Sequence, residues 1–222
     1  MKLAVFNGSP RGEKSNTGIL LQQFLGGFIQ IPGNCFEEYY LVHTNEHSNY
    51  ARIFRESEAV LLAFPLYTDA MPGIVKAFIE ELATQPMESG TQQKLLFLVQ
   101  SGFPEAIHLA TVEQYLLKLA RRLGYDSPGV IIKGGVEGIQ VMPPQMTRKL
   151  FSRLKALGEI FGRLGVLDEG LLKKVCGMKR FPRWIFPVIY LMKWMGMMDS
   201  SWNDTLKKNN AFERRFDRPY SE

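Results

Sequence analysis

Residues 3 to 17 read Leu-Ala-Val-Phe-Asn-Gly-Ser-Pro-Arg-Gly-Glu-Lys-Ser-Asn-Thr, and this stretch decides the fold. The apolar run Leu3 to Phe6 predicts a buried strand that Asn7-Gly8 end. Apolar residues then recur at helical spacing from Leu20 to Phe28, which predicts a helix. The order of strand, polar loop and helix gathers backbone N–H groups and the positive end of a helix dipole at one point. That point suits a phosphate group.

This stretch could be one of three kinds of phosphate loop. The alternative is an ordinary turn with a Ser or Asn helix cap. An ATP-binding P-loop needs Gly directly before the Lys, where this chain has Glu13. A phosphatase loop needs a cysteine nucleophile, but Cys35 and Cys176 lie elsewhere. A loop that holds a phosphate monoester without reacting with it is compatible with every residue present.

Four further strands are predicted, and helical patterns separate them. They are Phe36 to Val42, Ala59 to Phe64, Lys94 to Gln100 and Gly129 to Lys133. Regular alternation of strand and helix predicts a parallel sheet with helices on both faces. Ligands of such sheets bind at the carboxyl ends of the strands. Polar or aromatic loops follow the third and fourth strands at that edge, namely Pro65-Leu-Tyr67 and Ser101-Gly-Phe103.

Gly8-Ser-Pro-Arg11 with Ser15-Asn-Thr17 resembles the phosphate loop of the flavodoxin-like NAD(P)H-dependent FMN reductase and quinone reductase superfamily. Ala63 to Tyr67 with Met71-Pro-Gly73, and Val99 to Glu105, resemble its second and third flavin loops. The resemblance implies a flavodoxin-like three-layer α/β sandwich with a five-stranded parallel sheet in the order 2-1-3-4-5. It also implies bound FMN, NAD(P)H as co-substrate and a homodimer.

With this resemblance, eleven residues are expected to bind the cofactor. Those expected at the FMN phosphate are Ser9, Arg11, Ser15, Asn16 and Thr17. Those expected along the ring are Pro65, Leu66 and Tyr67 on one side, and Ser101, Gly102 and Phe103 on the other. Hydride transfer through a flavin requires no side-chain acid or base, so no catalytic residue is predicted.

The chain is divided into residues 1–164, an FMN-binding domain, and residues 165–222, a helical extension that packs on this domain or on a dimer partner. The extension contains a basic stretch around Lys179-Arg180, followed by an aromatic-rich run from Trp184 to Met198. A basic flank before such a run is also typical of peripheral membrane contact. The run is shorter than a membrane-spanning helix.

Composition restricts the class of protein further. The 222 residues carry a net charge of +5 and two distant cysteines, which predicts a cytoplasmic protein without disulfides. The N-terminus enters a strand directly, so no signal peptide is expected. His43 and His47 are expected to be solvated loop residues rather than metal ligands, and no metal is predicted. No motif indicates a nucleic-acid partner.

The sequence therefore predicts an FMN-dependent NAD(P)H oxidoreductase that passes reducing equivalents to a quinone, a flavin or another small acceptor. Two alternatives remain open. One is an FMN electron-transfer protein that does not turn over nicotinamide. The other is a membrane-surface protein built on a flavodoxin-like scaffold.

Overall fold

The computed structural model describes residues 1–85, 93–196 and 200–218, without the side chains of residues 200 and 201. Its five strands are β1 (Lys2–Asn7), β2 (Cys35–Tyr40), β3 (Ala59–Pro65), β4 (Lys94–Gln100) and β5 (Val130–Lys133). Its helices are α1 (Asn16–Phe28), α2 (His47–Glu56), α3 (Gly73–Thr84), α4 (Ala110–Arg122), α5 (Pro144–Leu164), α6 (Glu169–Cys176), α7 (Ile185–Trp194) and α8 (Ser200–Lys208). Residues 197–199, at the end of the aromatic-rich run, lie outside the described residues.

The sheet is parallel and has the order β2-β1-β3-β4-β5, which confirms the predicted topology. The three strands that precede the proposed ligand loops, β1, β3 and β4, are neighbours in this order. Their carboxyl ends therefore lie side by side at one edge of the sheet.

Two hydrophobic clusters cover the two faces of the sheet. Alternate strand residues such as Phe6 and Phe97 pack with α2, α3 and α4, whereas Val5 and Leu96 pack with α1, α5 and α6. Successive side chains of a strand point to opposite faces, so the central strands are apolar at almost every position. The result is the predicted three-layer sandwich.

Helices α1 and α5 approach each other closely on the second face. A methyl group on Gly27 of α1 would overlap the carbonyl oxygen of Lys155, and one on Gly158 of α5 would overlap that of Phe24. Glycine at both positions lets the two backbones touch. This contact fixes the helix whose first turn closes the loop after β1.

By their contacts the residues form two compact units, Met1–Arg180 and Phe181–Glu222. The first unit extends past the expected boundary at Leu164, because α6 packs against α5 and β5. In the second unit, α7 has no buried side chain. The Arg215 guanidinium lies 3.9 Å from the centroid of the Phe212 ring. Among the residues that the structure describes, every helix is too short or too polar to span a bilayer.

One local expectation is wrong. His47 does not lie in a solvated loop but begins α2, and it is buried. Its Nε2 atom lies 2.8 Å from the carbonyl oxygen of Leu41.

Candidate functional site

The loop after β1 is closed by its own polar groups. Asn7 is fully buried at the end of β1, and its Oδ1 accepts a hydrogen bond from the Ser9 N–H at 3.1 Å. The Ser9 hydroxyl oxygen accepts one from the Arg11 N–H at 3.3 Å. Ser15 is the N-cap of α1, and its Oγ accepts from the Gly18 N–H at 3.0 Å. These bonds shape the loop without a ligand.

The loop still offers hydrogen-bond donors. A hydroxyl that accepts a hydrogen bond keeps its own proton to donate. This holds for Ser9, for Ser15 and for Thr17, whose Oγ1 accepts from Gln100 Nε2 at 3.3 Å. All three are at least 98% buried, and they lie at the positive end of the α1 dipole. A phosphate group presents only acceptors at neutral pH, so this donor set fits the phosphate of FMN.

Arg11 supplies the positive charge of this loop. Its side chain is exposed and lines the cleft beside Ser9. In the part of the chain that the structure describes, its guanidinium forms no hydrogen bond or ion pair. It can therefore pair with an incoming phosphate without breaking an existing contact.

Asn16 has a structural partner that the sequence did not indicate. Its Nδ2 donates to the carbonyl oxygen of Val136 at 3.1 Å, in the loop after β5. Gln140 of the same loop donates to the carbonyl oxygen of Lys14 at 3.2 Å. The loop after β1 is thus tied to the loop after β5, and Asn16 has only part of its amide available for a ligand.

A single cleft at the carboxyl edge of the sheet collects most of the expected cofactor residues. Seven of the eleven line it: Ser9, Arg11, Asn16, Pro65, Leu66, Tyr67 and Gly102. Ser15, Thr17 and Ser101 are buried and do not line it. Phe103 also does not line it, and half of its surface is exposed.

The wall of the cleft after β3 ends in a tight turn. The Leu66 N–H donates to the carbonyl oxygen of Gln100 at 2.7 Å, which continues the pairing of β3 with β4. Tyr67 and Ala70 then exchange backbone hydrogen bonds of 2.9 and 3.1 Å. Between them, Thr68 and Asp69 have positive φ angles of 48° and 63°. Such angles are strained for residues with a side chain, above all for a β-branched threonine.

Tyr67 gains a fixed position from this turn. Its side chain remains 45% exposed at the rim of the cleft, although its backbone is held on both sides. An aromatic ring that is held in place and partly exposed can cover the face of a flat ligand.

The opposite wall is the loop after β4. The Ser101 N–H donates to the carbonyl oxygen of Lys133 at 3.0 Å, and its hydroxyl donates to that of Phe103 at 3.3 Å. The Ser101 hydroxyl is thus directed into its own loop. The Phe103 ring lies against His108, with 4.8 Å between ring centroids.

Two cleft residues were absent from the predicted set, Gln100 and Glu137. Gln100 is a buried amide that follows the five apolar residues of strand β4, and this polar ending was the available signal. Glu137 is the acidic residue of a glycine-rich loop, which is a weak signal because such loops are common turns. Its Oε2 lies 3.1 Å from the position that a Cβ atom on Gly102 would occupy.

Comparison with solved structures supports the fold. An FMN-dependent NADH-azoreductase from Bacillus anthracis in complex with FMN is 12% identical with a TM-score of 0.54, covering 73% of this chain and 100% of that chain. An NAD(P)H:quinone oxidoreductase from Methanothermobacter marburgensis is 18% identical with a TM-score of 0.54, covering 72% and 96%. An apo NADH:FMN oxidoreductase is 13% identical with a TM-score of 0.56, covering 83% and 98%.

Sequence comparison identifies the family. No curated protein matches the chain. The family model described as NADPH-dependent FMN reductase matches residues 1–125, which include the loops after β1, β3 and β4. The chain therefore belongs to the NADPH-dependent FMN reductase family of oxidoreductases, whose cofactor is FMN and whose co-substrate is NAD(P)H.

Proposed function

We propose that the cleft binds FMN and that the enzyme passes reducing equivalents from NAD(P)H to a quinone, a free flavin or another small acceptor. The observation that carries this proposal is the convergence of three loops that are far apart in the sequence. Ser9, Tyr67 and Gly102 come from the ends of three neighbouring strands and line one cleft. The loop after β1 contributes donors and a cation to this set, and the loop after β3 contributes an aromatic ring.

At the phosphate end, each group has a defined role. The Arg11 guanidinium pairs with the phosphate charge, and the hydroxyls of Ser9, Ser15 and Thr17 donate to its oxygens. The remaining amide proton of Asn16 and the first-turn N–H groups of α1 complete the donor set. Because Ser15 and Thr17 are buried below the cleft surface, we expect a small opening of the loop when the phosphate enters.

At the ring end, the protein orients the cofactor. Pro65, Leu66 and Tyr67 line one side of the cleft, and Gly102 lines the other. Ser101 and Phe103 flank Gly102 in the loop after β4 but do not line the cleft, so their contact with the ring stays a prediction. Bound FMN supplies the two-electron chemistry, so the side chains bind and orient rather than transfer protons. For this reason no residue is assigned a catalytic role.

The compartment and the oligomeric state of the enzyme are predictions of the same proposal. We expect a cytoplasmic homodimer in which residues 165–222 pack on the domain or on the partner. Contact of this extension with a membrane surface stays a second prediction for the same residues. Size-exclusion chromatography with light scattering tests the first, and flotation with liposomes, with and without residues 181–222, tests the second.

The absorbance spectrum of the purified protein tests the proposal. We expect a yellow protein, or a colourless one that becomes yellow when FMN is added. NADPH or NADH should bleach the colour under anaerobic conditions, and a quinone or free FMN should restore it. A protein that refuses FMN would contradict the proposed site. A yellow protein that neither nucleotide bleaches would instead favour an electron-transfer protein.

A further inference from the structure

Glu137 is presented by a loop that is fixed on both sides of it. Gly135 and Gly138, with φ angles of 70° and 72°, flank the turn. The Gly135 N–H donates to the carbonyl oxygen of Phe103 at 2.7 Å, and the Val136 N–H donates to that of Ser101 at 3.1 Å. Val136 is buried beside Glu137. The backbone of Glu137 is thus held against the loop after β4.

The same loop also contacts the loop after β1. Val136 accepts the hydrogen bond from Asn16, and Gln140 donates to the carbonyl oxygen of Lys14. Glu137 lies between these two contacts in the sequence. Through its neighbours, Glu137 is therefore tied both to the loop after β1 and to the loop after β4.

The Glu137 carboxylate lacks a partner among the residues that the structure describes. Within the described ranges, it forms neither an ion pair nor a hydrogen bond. It lines the cleft and lies over Gly102, whose missing side chain leaves room for it. Among the nine residues that line the cleft, it is the one with a negative charge. This carboxylate would oppose further negative charge in the cleft.

We propose that the charge of Glu137 sets the reduction potential of the bound flavin and holds it low. This inference rests on the proposed function. A hydride from NAD(P)H brings two electrons and one proton, so the ring gains one unit of negative charge unless it takes up a second proton from water. A fixed carboxylate nearby repels that added charge, although the Glu137 side chain is exposed and water screens part of the repulsion. Reduced FMN is therefore bound more weakly than oxidised FMN by this one side chain.

The consequence is an added drive to pass electrons on. A flavin with a lowered potential gives its electrons more readily to a quinone or another acceptor. The carboxylate acts without touching the nicotinamide or transferring a proton. Its effect is on the equilibrium between oxidised and reduced cofactor.

The test is the midpoint potential of protein-bound FMN in the variant Glu137→Gln, measured by anaerobic equilibration with a reference dye. We expect reduced FMN to gain about tenfold in affinity relative to oxidised FMN, which raises the potential of a two-electron couple by about 30 mV. Glu137→Asp keeps the charge and should stay near the wild-type potential. Glu113→Gln is the matched control, because Glu113 lines a different cavity beside α4 and should leave the potential unchanged.

The outcomes separate the two proposals. If wild-type protein binds no FMN, the proposed function fails and this inference fails with it. If wild-type and variant bind FMN with the same midpoint potential, only the inference about Glu137 is overturned. The same holds if Glu137→Asp shifts the potential as much as Glu137→Gln, since the charge would then have no part in the effect.

Discussion

The two ends of the cleft are built in different ways. At the phosphate end, Ser9, Ser15 and Thr17 are buried and already hydrogen-bonded within the protein. At the ring end, Tyr67 is 45% exposed at the rim of the cleft. Ordering a loop on binding costs free energy, so a loop that is shaped in advance binds more tightly. For the proposed FMN complex, we expect the shaped loop to lower the cost of binding at the phosphate end, apart from the small opening that buried Ser15 and Thr17 require, and the exposed ring end to leave room for reaction partners.

The largest expected effect concerns the support of the phosphate end. Gly27→Ala would drive a methyl group into the backbone of α5, so α1 and α5 must separate. Overpacking costs about 1–3 kcal/mol, and a backbone clash that no side chain can relieve should reach about 3 kcal/mol or more. Urea unfolding followed by circular dichroism measures this loss.

The neighbouring glycine is the control for this change. A methyl group on Gly26 has no atom within 4 Å, so Gly26→Ala should stabilise α1 by about 0.5–1 kcal/mol through helix propensity. Equal unfolding midpoints for the two variants would contradict the close contact between α1 and α5. The phosphate end would then not owe its rigidity to that contact.

The second effect is on cofactor affinity at the phosphate end. Arg11→Ala removes a charged hydrogen-bond donor and should weaken FMN binding by about 1.5–3 kcal/mol, as measured by isothermal titration. Lys14→Ala is the control, because Lys14 is exposed in the same turn but does not line the cleft. Riboflavin lacks the phosphate, so its affinity should be the same in wild type and Arg11→Ala. An unchanged FMN affinity would remove Arg11 from the site.

A smaller effect is expected at the ring end. Tyr67→Ala removes a ring contact worth about 0.5–1.5 kcal/mol beyond burial. This loss should be the same for FMN and for riboflavin, in contrast to Arg11→Ala. Tyr115→Ala is a matched control, since Tyr115 is 48% exposed on α4 and does not line the cleft. A Tyr67→Ala loss seen with FMN alone would place this side chain at the phosphate rather than at the ring.

Much of the fold follows from local sequence signals. Continuous apolar runs gave the central strands, and β4 was predicted with its observed bounds, Lys94–Gln100. Helical spacing gave the buried face of α5, including Leu154, Leu157 and Phe161. Helix starts are harder to place from sequence, because a proline such as Pro72, the N-cap of α3, is also common at the first helical position. Likewise, a short 3-10 helix at Ala106–Leu109 precedes α4, which starts at Ala110.

The contacts between loops could not be predicted from the same signals. The hydrogen bond from Asn16 to Val136 joins residues 120 positions apart, and no local pattern indicates such a partner. The same is true of Gly27 and Gly158, because a glycine in a helix can equally be exposed, as Gly26 shows. Sequence signals thus locate the loops of a site, whereas tertiary packing decides which of their side chains remain available to a ligand.

The smallest expected effect concerns a carboxylate behind the phosphate end. Asn7 Nδ2 donates to Glu38 at 3.4 Å, and burial raises the pKa of Glu38 above its usual value of 4.5. A raised folded-state pKa means that the folded protein binds more protons than the unfolded chain in the window above pH 4.5. Wild-type stability therefore falls as the pH rises through that window and stays reduced above it. Glu38→Gln should be slightly more stable than wild type at pH 8, and the gain should vanish at pH 4.

The adjacent residue gives a control of opposite sign. Glu37 pairs with Lys2 at 2.8 Å, and this lowers the pKa of Glu37. A lowered pKa contributes stability that is present at neutral pH and lost in acid, so Glu37→Gln should be slightly less stable than wild type at pH 8. Urea midpoints at pH 4 and pH 8 measure both variants. If the urea midpoints of both variants shift in the same direction at pH 8, burial does not govern the pKa of Glu38. The loop after β1 would then not lie over a carboxyl group whose ionisation burial opposes.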